Sequence, residues 1–283
     1  MQQSSSPKNN IDTKVVDGFG DEWSRFDQSV LSSTDLNQIF NNYFSIFPWE
    51  KLTQNAVGFD LGCGSGRWAQ VVAQRVGQLH CIDASNSALD VAKQNLQNKP
   101  NCTFHLASVD NIPLEDNFAD FGYSLGVLHH VPDTQAGINA CVSKLKPGSP
   151  FLVYLYYAFD NRPFWFKWIW KTTEILRWSI SRAPHQLRYL LSQIIAALIY
   201  FPLARLSLLL EKLGMSVDNF PLSAYRHLDF YVMRTDALDR FGTRLEQRFT
   251  KLQIQEMMEK AGLQDIKFNE GWPYWCAVGF KSI

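Results

Sequence analysis

Acidic and glycine residues at the ends of two apolar runs could hold a nucleotide-like ligand. The residues concerned are Asp60, Gly62, Gly64, Gly66 and Asp83. Glycine permits a tight turn and lets a ligand lie against backbone, and a helix N-terminus after the turn favours electronegative groups. An acidic side chain ending the second strand can accept hydrogen bonds from both ribose hydroxyls of an adenosine. The glycine spacing differs from G-x-G-x-x-G by one position, and no Walker lysine follows, which excludes a P-loop.

Two adjacent histidines, His129 and His130, follow the fourth apolar run. Histidine titrates near neutral pH and can take a proton from a hydroxyl or an ammonium group. In an extended segment their side chains point to opposite sides, so one would face a ligand while the other packs. A purely structural role remains open. Adjacent histidines rarely converge on one ion, so we expect no metal site.

The elements that carry these residues alternate between strand and helix. From Asn55 to Phe159 the pattern predicts five strands, and the C-terminal segment predicts a helix that opens with a capping box at Thr250 and Gln253, followed by two strands. We therefore expect an α/β fold with a seven-stranded, mostly parallel, doubly wound sheet whose last two strands form a hairpin. A hydrophobic content of 46% excludes disorder as the main state, and a net charge of +0 excludes a global basic field for nucleic acid.

The composition divides the chain into four parts. We predict a disordered tail over 1–14, an N-terminal helical cap over 15–54, a core formed by 55–159 and 235–283, and a helical insertion over 160–234 after the fifth strand. The tail is polar and lacks the apolar stretch of a secretory signal. The five cysteines are odd in number and none has CxxC spacing. These features favour a reducing, cytoplasmic location.

The chain resembles the class I S-adenosylmethionine-dependent methyltransferases of the small-molecule type (methyltransferase type 11-like). The similarity rests on the glycine segment, on Asp83, on the Ser108–Leu114 segment and on the Leu125–Asp133 segment. It is strong over 55–158 and weak over 250–280. It implies a Rossmann-like methyltransferase fold, S-adenosylmethionine as methyl donor, S-adenosylhomocysteine as product, and no metal. The donor-binding residues implied are Asp60, Gly62, Gly64, Gly66, Asp83, Ser108, Val109 and Leu125. The family's usual Asp is replaced here by Ser108.

The resemblance also implies roles for the histidines. Relatives that use a base from this loop place it at the position of His130, so His130 is the first candidate and His129 the second. We expect an oxygen acceptor first and a nitrogen acceptor second. A non-catalytic S-adenosylmethionine-binding protein, or a methyltransferase of protein or RNA, remains an alternative. The motifs of nucleic-acid methyltransferases are absent, and no nucleic-acid partner is expected.

Two aromatic regions are expected to contact the acceptor. The first contains Trp23, and the second contains Tyr156 and Tyr157 at the start of the insertion. Either region could equally serve packing. Their bulk predicts a bulky, partly apolar acceptor, either a small molecule or one linked to a carrier or lipid.

The insertion has an unusual composition. From Asn161 to Leu213 it carries eight Lys or Arg and two Glu, and Tyr189–Ala204 is uncharged over sixteen residues. That run is shorter than the ~20 residues that span a bilayer. The insertion could form a roof over the acceptor pocket. Alternatively, it could rest on an anionic membrane interface, which would place the protein at the inner face of the membrane.

Overall fold

The computed structural model describes residues 9–28 and 32–283. Its seven strands are β1 (Val57–Leu61), β2 (Gln78–Asp83), β3 (Cys102–Leu106), β4 (Phe121–Leu125), β5 (Pro150–Tyr154), β6 (Leu263–Phe268) and β7 (Cys276–Lys281). They form one sheet in the order β3-β2-β1-β4-β5-β7-β6. The strands β1 to β5 are parallel, and β7 runs antiparallel to both β5 and β6. The predicted seven-stranded, mostly parallel sheet with a closing hairpin is confirmed.

Ten α-helices surround or extend this sheet in the described part of the chain. They are α1 (Thr13–Arg25), α2 (Ser33–Phe44), α3 (Ala69–Val72), α4 (Asn86–Asn95), α5 (Thr134–Lys144), α6 (Phe164–Ile180), α7 (His185–Ile195), α8 (Phe201–Lys212), α9 (Phe230–Gly242) and α10 (Lys251–Lys260). The predicted capping box opens α10, because Thr250 and Gln253 satisfy each other's backbone N–H groups.

Apolar side chains fill both faces of the sheet. Phe40, Phe44 and Trp68 belong to the core on one face, whereas Ile138 and Ile254 belong to the core on the other. Near the middle of the sheet, β1 lies between β2 and β4, so successive connections leave β1 in opposite directions. In such sheets a crevice opens at the carboxyl ends of the two diverging strands, and ligands bind there.

The insertion after β5 consists of α6 to α9. A π-helical turn over Ala196–Tyr200 joins α7 to α8 as one long helix. Both α6 and α7 pack against α9. The predicted boundary at residue 234 is wrong, because α9 runs continuously through it. The chain rejoins the core at Phe249, which pairs with Tyr157.

The predicted disordered tail needs a correction. Residues 1–8 lie outside the described residues, but 9–14 belong to the fold. Asp12 caps α1 by accepting hydrogen bonds from the N–H groups of Lys14 and Val15 at 3.0 and 3.3 Å, and Asn10 is only 8% exposed. The helix α1 then packs against α4 on one side and α9 on the other. The N-terminal segment is therefore a cover between core and insertion.

Candidate active site

A cavity lies at the carboxyl ends of β1, β2 and β4, beneath α1. The volume accessible to the centres of water molecules is about 130 Å³. One buried water needs roughly a tenth of that volume. The predicted residues that line it are Trp23, Gly62, Asp83, Ser108, Val109, Leu125 and His130. The structure thus brings residues from five separate segments to one space that is large enough for an organic ligand.

The glycine turn forms the floor of this cavity. Gly62, Gly64 and Gly66 all have positive φ, at 76°, 53° and 76°, a conformation in which a Cβ atom is strained. A Cβ on Gly62 would lie 2.3 Å from Val127, and one on Gly64 would lie 2.8 Å from the Trp23 indole. Glycine is therefore needed here both for the turn and for the close approach of the neighbouring segments.

Asp83 holds the turn in place. Its Oδ2 accepts a hydrogen bond from the Gly64 N–H at 2.9 Å, and its Oδ1 accepts one from the Ser85 N–H at 2.8 Å. Burial raises the pKa of Asp83, although these backbone N–H groups act in the opposite direction. Each carboxylate oxygen can accept a second bond. Asp83 can therefore anchor the glycine turn and also receive hydroxyl groups of a ligand in the cavity.

Asp60 takes a different position from the other predicted donor residues. It is 1% exposed, does not line the cavity, and lies beside Tyr123 of the neighbouring strand. Burial raises its pKa to about 8. Asp60 therefore lies behind the turn, and any effect on a ligand must pass through the backbone. Gly64 and Gly66 also shape the turn without lining the cavity.

The opposite end of the cavity is formed by Ser108, Val109 and the N-terminal segment. The Ser108 hydroxyl donates to Asp110, whose other oxygen accepts the Asn10 N–H at 3.1 Å. The Asn10 side chain donates to the backbone oxygen of Asp133 at 2.8 Å and accepts the Asp133 N–H at 2.7 Å. Asn10 thus ties the N-terminal cover to two loops of the core. The sequence interpretation missed it, because an isolated Asn in a polar segment gives no signal.

His130 lies in the wall of the cavity. It belongs to a 3₁₀ turn over Leu128–His130, so the condition of an extended segment is not met. Its Nδ1 donates to the Leu245 backbone oxygen at 2.7 Å, which leaves Nε2 as the nitrogen that can accept a proton. The Phe19 ring of α1 lies 5.0 Å from the imidazole. His130 is therefore positioned by the insertion and covered by α1.

His129 lies in different surroundings. It is fully buried and its ring stacks on Tyr156 with 3.8 Å between centroids. Burial lowers its pKa well below the ordinary value, so the ring is neutral at physiological pH. His129 does not line the cavity. Of the two candidates, only His130 lies where it could meet a ligand.

A buried charged cluster extends behind His130. Asp239 of α9 lies with Oδ1 3.8 Å from His130 Nε2, and its Oδ2 accepts a hydrogen bond from the Tyr156 hydroxyl. Burial raises the pKa of Asp239, and the neighbouring His130 opposes that rise. Nearby, Arg248 pairs with the buried Glu246 at 2.6 Å. Burial acts to raise the pKa of Glu246, but Arg248, Arg240 and Arg177 together outweigh that effect, so the pKa is lowered.

The predicted acceptor residues fall in two places. Trp23 lines the cavity and packs over the glycine turn. Tyr156 faces Asp239 and His129, and Tyr157 packs against Phe159 and Tyr274. Neither tyrosine lines the cavity. Their predicted contact with an acceptor stays a prediction, and the structure assigns Tyr156 a contact with the partner of His130.

Arg67, which lines the cavity, follows the glycine turn. Its guanidinium lies 4.2 Å from the centroid of the Trp68 ring, and its buried Nε has no hydrogen-bond partner among the described residues. Its charge acts on Glu22 and Asp236, where it opposes the rise in pKa that burial causes. A cation with an open donor here suits an anionic group at this end of the cavity.

Comparison with known proteins agrees with this geometry. Residues 59–153 match the family described as Methyltransferase domain. That segment runs from within β1 to within β5 and contains the glycine turn, Asp83 and His130. Together with the seven-stranded sheet, this match shows that the core is similar to the class I S-adenosylmethionine-dependent methyltransferases.

Individual relatives match over different lengths. The chain is 27% identical over 191 residues to a ubiquinone biosynthesis O-methyltransferase of Idiomarina loihiensis, covering 65% of this chain and 76% of that protein. It is 31% identical over 100 residues to phosphoethanolamine N-methyltransferase 2 of Caenorhabditis elegans, covering 34% and 23%. A methyltransferase structure from Thermotoga maritima aligns over 93% of this chain and all of that one, with 13% identity and a TM-score of 0.51, which supports the fold alone. Several curated relatives are matched over less than half of their length.

Proposed function

We propose that this protein transfers a methyl group from S-adenosylmethionine to an oxygen atom of a bulky, partly apolar acceptor. The observation that supports the proposal is the cavity beneath α1. It places Asp83 and the glycine turn, which suit the donor, in one space with His130, which suits proton removal. Nitrogen is the second choice of acceptor atom.

The donor would be held by the turn and by the strand ends. Gly62 lines the cavity without a side chain, so a ligand can lie against its backbone, whereas Gly64 lets Trp23 pack closely over the turn. Asp83 presents two carboxylate oxygens to ribose hydroxyls, and Ser108 and Val109 line the far end. When bound, S-adenosylmethionine supplies an electrophilic methyl group on a sulfonium. The chain's own task is to align the acceptor and exclude water.

The proton of a hydroxyl acceptor would pass to His130. Because Nδ1 is held by the Leu245 carbonyl, Nε2 is the atom that receives the proton. The Asp239 carboxylate at 3.8 Å stabilises the resulting imidazolium. His130 is thus the proposed general base, and Asp239 is a positioning residue that acts through it.

The character of the acceptor is inferred from the cavity and from relatives. Val15, Val16, Phe19 and Val131 give the His130 side of the cavity an apolar lining. The relatives named ubiquinone biosynthesis O-methyltransferases support an oxygen acceptor and an apolar molecule. The relative named phosphoethanolamine N-methyltransferase is the reason to keep nitrogen in the test. A small molecule, free or linked to a carrier in the cytoplasm, fits this reading.

The donor site is tested by titration calorimetry with S-adenosylhomocysteine on the wild type and on Asp83→Ala. Micromolar binding by the wild type is expected. The variant should bind more weakly by about 1–3 kcal/mol, because charge-assisted hydrogen bonds are lost. The matched control is Asp90→Ala, which removes an exposed aspartate of α4 that pairs with Lys93 and should leave affinity unchanged.

Thermal unfolding without ligand separates this effect from damage to the turn. If Asp83→Ala loses stability and keeps its affinity, the donor assignment is wrong. If the wild type binds no S-adenosylhomocysteine, the proposed function fails. A second experiment identifies the acceptor by measuring methyl transfer to hydroxylated and to amino compounds that carry an apolar chain. Transfer to the hydroxylated series is expected, and transfer only to the amino series would assign nitrogen as the acceptor atom.

A further inference from the structure

Large apolar side chains are exposed almost entirely on the insertion. Of the twenty exposed large apolar residues in the described chain, six lie on α6 and ten lie between Leu187 and Met215. The side chains on α6 are Phe164, Trp168, Ile169, Ile175, Leu176 and Trp178. We call the exposed apolar surface between Phe164 and Met215 the outer apolar face. Concentration of this kind marks an interaction surface, because soluble surfaces rarely expose apolar groups contiguously.

The long helix formed by α7 and α8 exposes its large apolar side chains, whereas a surface helix of a soluble protein usually buries them. Its buried residues are Arg188, Ser192, Ala196, Tyr200, Ala204 and Ser207, most of which are small or polar. Arg188 donates to the Gly242 backbone oxygen of α9 at 2.7 Å. The residues that face outward are mostly Leu, Ile and Phe. The side that packs against α9 thus carries mainly small residues and Tyr200, while most of the large aliphatic side chains of this helix remain exposed.

This helix is long and apolar enough to cross a membrane, over His185–Lys212. Only 22% of its most apolar stretch is buried, whereas the core helix of a soluble protein is mostly buried. Crossing the bilayer would, however, take Arg188 and Arg205 into the hydrocarbon. Both are engaged with the fold, since Arg205 donates to the backbone oxygens of Arg226 and Leu228. The buried side of the helix is therefore bound to the rest of the domain through these two arginines.

Positive charge accompanies the outer apolar face. Lys167, Lys171 and Lys212 are exposed and form no ion pair with a described residue. Arg182 is also exposed and lies over the Trp178 ring at 4.3 Å. The two glutamates of 161–213 are already paired, Glu174 with Arg177 and Glu211 with Arg226. The charged side chains of this face that have no ion-pair partner among the described residues are therefore positive.

We propose that the outer apolar face docks in the interface of an anionic lipid bilayer, with α6, α7 and α8 lying in the plane of the membrane. Apolar side chains would enter the acyl boundary while the lysines contact anionic headgroups. A second copy of this chain would meet the same face with the same positive charge, which opposes self-association. The inference does not depend on methyl transfer, although a membrane surface would also be a source of apolar acceptors.

The experiment is flotation of the full-length protein with vesicles of phosphatidylcholine alone or mixed with phosphatidylglycerol. The wild type should bind the mixed vesicles more strongly. Lys167→Gln combined with Lys171→Gln should reduce the partition coefficient on mixed vesicles roughly 25-fold, with little change on neutral ones. Leu198→Ser should reduce binding to both kinds of vesicle roughly five- to ten-fold.

The matched control is Leu252→Ser on α10. Leu252 and Leu198 are of one type and similarly exposed, at 64% and 72%, but Leu252 lies outside the outer apolar face. Leu252→Ser should leave binding unchanged. S-adenosylhomocysteine affinity without vesicles should be unchanged in every variant, which separates this proposal from the donor site.

Three results would overturn the proposal. The first is absence of binding to mixed vesicles. The second is a dimer in light scattering that Leu198→Ser dissociates, which would assign the face to a second copy. The third is retention on vesicles after an alkaline carbonate wash, which would indicate a spanning helix.

Discussion

The pair formed by His130 and Asp239 gives the sharpest test of the proposed proton transfer. At 3.8 Å between Nε2 and Oδ1, the attraction of a full charge pair is about 4 kcal/mol at an effective dielectric constant of ~20. The Asp239 side chain is 22% exposed, so solvent weakens this attraction. We expect Asp239→Asn to lower kcat roughly 10- to 100-fold through destabilisation of the imidazolium. Asparagine keeps an acceptor for the Tyr156 hydroxyl, so the fold should be preserved.

The comparison that decides the role of Asp239 is a double-mutant cycle. His130→Gln keeps a donor for the Leu245 carbonyl and removes the base, so kcat should fall roughly 10²- to 10⁴-fold. If Asp239 acts through His130, adding Asp239→Asn to His130→Gln should change the rate no further. The assay is the initial rate of S-adenosylhomocysteine formation with an acceptor found in the screen of hydroxylated and amino compounds, alongside calorimetric affinity for the product. An equal loss from Asp239→Asn in both backgrounds would refute the reasoning, as would a parallel loss of product affinity.

Two further predictions concern buried polar groups. Burial raises the pKa of Asp60 to about 8, from an ordinary value of 3.8, so the folded state binds this proton more tightly than the unfolded state. The free energy of unfolding should therefore decrease between these two pH values, with a slope of at most about 1.4 kcal/mol per pH unit. Asp60→Asn should remove that slope in urea unfolding at a series of pH values, and an unaltered slope would contradict the assignment. Asn10→Ala removes two hydrogen bonds to the backbone of Asp133. The variant should bind S-adenosylhomocysteine more weakly by about 1–2 kcal/mol and should release it faster. Stopped-flow dissociation measures this, and an unchanged rate would show that the N-terminal cover does not retain the ligand.

Local features predicted much of the donor site. Val57–Leu61 is both the predicted and the observed first strand. The positive φ values of Gly62, Gly64 and Gly66 follow from the same short segment that predicted a tight turn. Asp83 ends β2 as expected. These features depend on neighbours in the chain, and parallel strands bring their carboxyl ends to one edge without further information.

Long-range contacts could not be predicted in the same way. Asn10 meets Asp133 across 123 residues, and His130 meets Leu245 across 115. The spacing of residues along the chain carries no record of such pairs. The opposite directions expected of an extended segment do not apply to His129 and His130, because the loop forms a 3₁₀ turn.

The sequence by itself determined the class of fold, the glycine turn, the acidic residue that closes it, and the basic and apolar composition of the insertion. These follow from backbone preferences and hydrophobic periodicity, which act over a few residues. Only the tertiary structure decided that Asp60 lies behind the turn, that Asp239 faces His130, and that α7 and α8 present their apolar side outward. Periodicity shows that a helix has two unlike sides. Which side is buried depends on the surface that α9 offers, and that surface exists only after the chain has folded.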